Sequence, residues 1–284
     1  MTAVVERRAA PAQATLRTLA WVEARRYARH PVFLLGAGLL VWSSVAISDD
    51  LDATFPDFKV AVGFLVGVFG VLVGYQLTRS LSRSTDAVTA APADGVLRTA
   101  ALCLACLVPG ALGLAWVGWL YATAVLTSTP DSAIGTGDRI AILLAGAVAT
   151  VGGPLVGVMV GRWTRFPGAG LVAAVLLVLW TGFSSSALEQ RASHLTDLAR
   201  LQAPFAFWTS SGDAHATNWV AGGSPWWHLA YVVLLCGLAA TAAMVHEATG
   251  GRRTRLWRVL AVLGVLALGC LALAVAGDPT RVPL

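Results

Sequence analysis

The stretch that decides the fold is Ile140–Gly161, IAILLAGAVATVGGPLVGVMVG, which contains no Asp, Glu, Lys or Arg. About 20 consecutive apolar residues at 1.5 Å per residue cross the hydrocarbon core of a bilayer. A soluble helix would need a polar face, and this stretch has none. Small residues set its inner logic: Gly153, Gly157 and Gly161 recur every four positions, on one helical face, with Pro154 among them. In lipid such faces let two backbones approach closely.

Working outward, six further stretches read alike: about 31–48, 60–77, 99–126, 168–188, 226–246 and 259–276. None contains an ionised residue type. In the second of them Gly63, Gly67, Gly70 and Gly74 again share one face. The chain is 57% hydrophobic and only 12% charged, with mean hydropathy +0.71. Soluble domains carry about 25% charged residues, so this chain has too little polar surface to wrap a water-facing core. The expected fold is all-α: a polytopic membrane bundle of about seven transmembrane helices. Connections this short exclude a separate soluble enzyme domain.

Charge orients the bundle. Arginine supplies nearly all the positive charge, Lys59 being the one lysine. With the N-terminus inside, the inner segments hold 15 basic and five acidic residues and the outer segments five basic and ten acidic. The positive-inside rule gives N-in and, for seven spans, C-out. The basic balance belongs to loop retention, not to nucleic acid. No phosphate-cradling GxxxxGK[ST] loop exists either, since Lys59 follows Phe58 and precedes Val60.

Residues 14–30 read as a different kind of helix. Leu16, Leu19, Ala20, Glu23 and Tyr27 fall on one side, with Arg17, Arg25, Arg26 and Arg29 spread over the rest. Such a helix suits the membrane interface. Glu23 is placed to pair with Arg26, three residues on. The first apolar run carries Ser44-Val45-Ala46, shaped like a leader cleavage site, but about 30 residues precede the run and a retained span is expected. Segment 189–225 is aromatic, with Pro204, Phe205, Phe207, Trp208 and Trp219, which favours short helices at the outer interface.

Chemistry is sparse. Cys103 and Cys106 have redox spacing but lie in an apolar run, away from what makes a thiolate. Ser184–Ser186, His194 and Asp197 match no nucleophile-base-acid arrangement. Asp49, Asp50 and Asp52 read as a solvated outer loop. No catalytic, metal or cofactor-binding residue is expected in this chain. The polar inner segment after Arg79 is the exception in character: Ser84 or Thr85 can cap a short helix, Asp86 suits its positive end and Pro92 limits it.

The order of these parts resembles the permease subunits of type 2 ABC exporters over roughly residues 14–250. The carriers are the interfacial "LRTLAWVEARRYARHP", two spans, the loop "SLSRSTDAVTAAPADGVLRTAA", a long third span, a glycine-rich fourth and an aromatic segment before the sixth. The resemblance implies a bacterial plasma-membrane exporter subunit that moves substrate outward with a separate ATPase and a second permease copy. ATP and Mg would bind in that ATPase. It further implies ATPase contacts by Glu23, Arg25 and Arg26 on the interfacial helix. Arg83, Ser84, Thr85, Asp86 and Pro92 would make the coupling contacts. Two departures stand out: Ser84 sits where the family loop often has glycine, and "GRRTRLWR" leads into an extra seventh span. Three segments follow: 1–30 as tail and interfacial helix, 31–250 as permease core, and 251–284 as a basic inner loop plus seventh span. The alternative is a seven-span scaffold or immunity-type protein without transport.

Overall fold

The computed structural model describes residues 12–48, 59, 61–83, 94–122, 135–186, 193–206, 208–210, 219–220 and 222–277. All seven apolar stretches are helical within it. Helix α1 (Ala12–Ala28) comes first and stands 59° away from α2 (Pro31–Ser48). Pro31 explains the break: a residue before proline is pushed out of the helical region, and proline itself suits a first helical position. His30 Nδ1 accepts the Val32 N–H at 3.3 Å and so caps the new helix.

The second stretch opens with a π-helical turn, Gly63–Val68, that runs into α3 (Phe69–Arg83). The third, expected as one span, is divided into α4 (Gly95–Ala105) and α5 (Leu107–Ala122) by a turn at Cys106. Pro109 is the cause, because its ring opposes helical continuation at the carbonyl four residues back, that of Ala105. The two remain one apolar rod, Gly95–Ala122. Helices α6 (Thr136–Trp163) and α7 (Ala169–Ser185) follow. Then come a short α8 (His194–Leu201) and a two-residue antiparallel pair, β1 (Thr209–Ser210) with β2 (Trp219–Val220). Helices α9 (Pro225–Glu247) and α10 (Gly250–Val275) close the chain.

One expectation needs correction. The basic stretch from Gly251 to Arg258 is not a loop; it forms the first turns of α10, and the link from α9 is only Ala248–Thr249. Cations at a helix N-terminus work against its dipole. Asp94 offsets this by pairing with Arg252, while Glu247 lies at the adjoining end of α9 and pairs with Arg162 at 3.2 Å.

Helix α6 is the axis, with α3 packed on one side and α9 on the other. α10 lies on α9, α1 on α4, α5 against α6, and α7 beside α3. The α3–α6 crossing is backbone against backbone. A Cβ at Gly153 would fall on the Gly67 carbonyl, and one at Gly157 on that of Val71. One at Gly74 would meet the Pro154 carbonyl, and one at Gly70 the Pro154 ring at 2.6 Å. Gly161 adds Thr78 Cβ at 2.9 Å. The two glycine faces therefore meet each other.

The passes run between two ends. At the basic end Arg26 donates to Ser80 Oγ at 3.1 Å and Tyr75 Oη to Phe166 O at 2.5 Å. At the other end Trp116 Nε1 donates to Ser44 Oγ at 2.8 Å and Ser224 N to Ala274 O at 2.8 Å. Among the described residues, by length and composition alone four helices can each cross a membrane, or five if the bent α1–α2 pair counts as one span. Leu34, Leu35, Val41 and Trp42 on α2 are exposed. So are Leu171, Leu176 and Phe183 on α7, and Val262, Val265 and Leu268 on α10. Apolar faces of that extent demand a nonaqueous solvent. The protein is a membrane-embedded helical bundle.

Candidate functional site

At the basic end, α1 presents two unlike surfaces. Tyr27 is fully buried, edge-to-face with Phe33 at 5.2 Å, and its hydroxyl comes within 3.2 Å of where a Gly70 Cβ would stand. Glu23 is buried as well. It accepts two bonds from Arg26 Nη1, at 3.0 and 3.1 Å, and Arg26 Nη2 reaches α3 at Ser80. Glu23 and Arg26 therefore fasten α1 to the bundle. Arg25 is different: it is exposed and lies over the exposed Trp21 ring at 5.7 Å. Of the three residues assigned to the interfacial helix, Glu23 is buried and Arg25 and Arg26 are exposed, with Arg26 turned back onto Glu23 and Ser80.

Of the coupling residues, Arg83 is the last residue of α3. Ser84, Thr85, Asp86 and Pro92 lie outside the described residues. The segment's two flanks are in place, however, and both are at the basic end. Asp94 caps α4 by accepting from Val96 N at 3.3 Å and pairs with Arg252. Beside α3, a groove of about 350 Å3 is lined by Tyr75, Gln76, Arg79, Ser80 and Pro167.

The other end holds a cluster that composition did not reveal. By the charge count Lys59 and Arg200 both belong to outer segments. Both are about 1% exposed. Lys59 lays its stem over Gly146 of α6 and donates from Nζ to Ala206 O at 2.6 Å. Arg200 pairs with buried Asp197 at 2.9 Å and also bonds Gly222 O. Burial pushes the Arg200 guanidinium down to about 10, with the Asp197 carboxylate opposing that shift, so it stays charged at neutral pH. The Trp208 ring lies near both basic groups, 5.9 Å from Lys59 Nζ and 5.2 Å from Arg200 Cζ. His228, in the first turn of α9, meets that ring edge-on at 5.6 Å.

This cluster is built by the segment folding back over the bundle. Ser193 and Thr196 form a reciprocal capping box that starts α8 and sets Asp197 and Arg200 one turn apart. Phe205 then presses against the π-helical turn, where a Cβ at Gly63 would lie 2.5 Å from its ring. Gly223, at φ +112°, reverses the chain next to Ala274 in a conformation that favours glycine. The signal available in sequence was the aromatic density of 204–227 together with the three-residue Asp197–Arg200 spacing.

Family models, characterised proteins and solved structures give no match to this chain.

The geometry itself must therefore carry the argument. Among the described residues no three His, Cys, Asp or Glu side chains gather as a metal site. Ser184 is buried at the end of α7, and among the described residues its hydroxyl has no hydrogen-bond partner. Asp197 is committed to Arg200, and His194 contacts Val275 O at 3.3 Å. Among the described residues these groups do not form a relay. The opposite end is a pinned cap. The basic end carries the braced helix α1 and both flanks of segment 84–93.

Proposed function

We propose that this chain is the permease subunit of an ATP-driven exporter of the ABC type, inserted N-terminus inside in a bacterial plasma membrane and worked by a separate ATPase. The observation that carries the reading is the arrangement of α1. It stands 59° from α2 at the same end as both flanks of segment 84–93, Arg83 and Asp94. Its inner face is fastened to α3 through Arg26–Ser80 and packed along α4, while Arg25 and Trp21 face outward. A partner pushing on α1 or on the 84–93 segment would move α3 and α4 directly. Because α3 and α6 touch backbone to backbone, that motion would pass into the axis of the bundle.

Energy would come from the partner, since this chain has no phosphate-binding loop. The purified chain alone is expected to release no phosphate from ATP, and hydrolysis is expected with an ATPase subunit present. Within that complex, the double variant Arg83→Glu, Asp86→Arg should insert and fold normally but lose most partner-stimulated hydrolysis. Full stimulation by the folded double variant would remove the coupling role.

Orientation has its own test. In a background without the native cysteines, single cysteines replace Thr254 or Asp213. Position 254, exposed among the basic residues of α10, should be shielded from an impermeant thiol reagent in intact cells, and position 213 should label. Outside labelling at 254 would reverse the assignment.

A further inference from the structure

The groove beside α3 gathers polar side chains at the basic end of the bundle. Its volume, about 350 Å3, falls within the range of small-ligand sites. Its lining brings together the Arg79 guanidinium, the Ser80 hydroxyl, the Gln76 amide and the Pro167 ring, and no carboxylate is among the lining residues. Glu23, the nearest acid on α1, is already committed to Arg26. Arg26 itself reaches the groove at Ser80, and Arg165 stands behind Arg79, whose Nη1 donates to the Arg165 carbonyl at 2.8 Å. The Tyr75 ring, 5.9 Å from the Arg79 guanidinium, helps hold that group in place.

The surroundings narrow the occupant. The helices on either side of α3, α2 and α7, expose Leu34 and Leu35, and Leu171 and Val172, near the basic end. A basic, hydroxyl-bearing pocket with apolar helix faces running away from it suits a molecule with an anionic head and hydrocarbon tails. We propose that this groove binds the phosphate headgroup of an anionic phospholipid from the leaflet at the basic end. Arg79 would engage the phosphate, the Gln76 amide would supply a further hydrogen bond, and the acyl chains would lie along α2 and α7. Ser80, which donates to Leu77 O at 2.8 Å and accepts from Arg26, would form the polar wall. Guanidinium groups match phosphate oxygens in paired hydrogen bonds. The bound lipid would tie α1 to α3 at the Arg26–Ser80 junction. This inference requires the membrane-embedded bundle and does not require the exporter reading.

Native mass spectrometry of the full-length purified chain, released from micelles carrying phosphatidylglycerol or phosphatidylcholine, tests it. One phosphatidylglycerol should be retained per chain, several-fold more than phosphatidylcholine. Arg79→Gln should lower that retention about fivefold, the loss expected for one basic group at an anionic lipid. Arg79→Lys should restore part of it. Should Arg79→Gln fail to fold, Gln76→Glu serves instead: Gln76 is exposed, and the added carboxylate should abolish the preference. Equal retention of the two lipids by the wild-type chain would overturn the proposal. So would an undiminished preference in the folded variants, or displacement of the lipid by millimolar inorganic phosphate.

Discussion

Arg200→Met is expected to destabilise the bundle by about 3–5 kcal/mol, the range for breaking a buried ion pair from one side. The change leaves Asp197 buried without its cation and removes the donor to Gly222 O. It also takes away the guanidinium against Trp208. The double variant Asp197→Leu, Arg200→Met should recover much of the loss, because no lone charge then remains inside. Unfolding by SDS in mixed micelles, followed through tryptophan fluorescence, reads both variants. A single variant as stable as the wild type would mean that the cap does not close over Arg200.

Gly157→Leu is expected to rank next, at about 3 kcal/mol, the upper part of the usual range for overpacking. Flexible side chains can yield to an added group, but at Gly157 the obstacle is the Val71 carbonyl and the Tyr75 N, the latter 2.9 Å from the new Cβ. The α3–α6 crossing must then open. Gly264→Leu is the matched control, since nothing lies within 4 Å of a Cβ there. Equal unfolding midpoints for the two variants would show that α3 and α6 do not cross at these glycines.

The bundle was legible because lipid solvation leaves a local mark. A run such as Ile140–Gly161 needs no knowledge of the rest of the chain to be read as a helix. The glycine spacing of α6 and α3 was equally local, and so was the Glu23–Arg26 separation of three. What stayed hidden depends on distant segments. Lys59 looks solvated beside Asp57 and becomes buried only because residues some 140 positions later cover it; its acceptor is the Ala206 carbonyl. The start of α10 was misread for a related reason. Arginines at a helix N-terminus are locally unfavourable, and the carboxylate that pairs with Arg252 there, Asp94, comes from the opening of α4. The turn at Cys106 is a separate case. Pro109 was visible, but its effect was masked by the uninterrupted hydropathy of 99–126.

For the candidate site, the sequence separated α1 from the spans and assigned it to the interface. It did not divide the labour among the three α1 residues. Glu23 faces inward because it lies on the stripe of Leu16, Leu19 and Tyr27, on the helix that packs against α4. Arg25 and Arg26 lie off that stripe and are exposed, and Arg26 reaches back to Glu23 and Ser80. Which residue of a charged cluster faces a partner depends on the packing direction of the whole helix, and that direction is set by its neighbours.

The exporter reading stands or falls on what accompanies this chain in its own membrane. The direct measurement is purification of the tagged chain at native expression level in mild detergent, with every copurifying protein quantified by mass spectrometry. The account predicts a nucleotide-binding ABC subunit in near-equal amount, retained by the wild type and depleted by the folded Arg83→Glu, Asp86→Arg variant. A folded chain that comes out with no such subunit would contradict the account and favour a membrane scaffold.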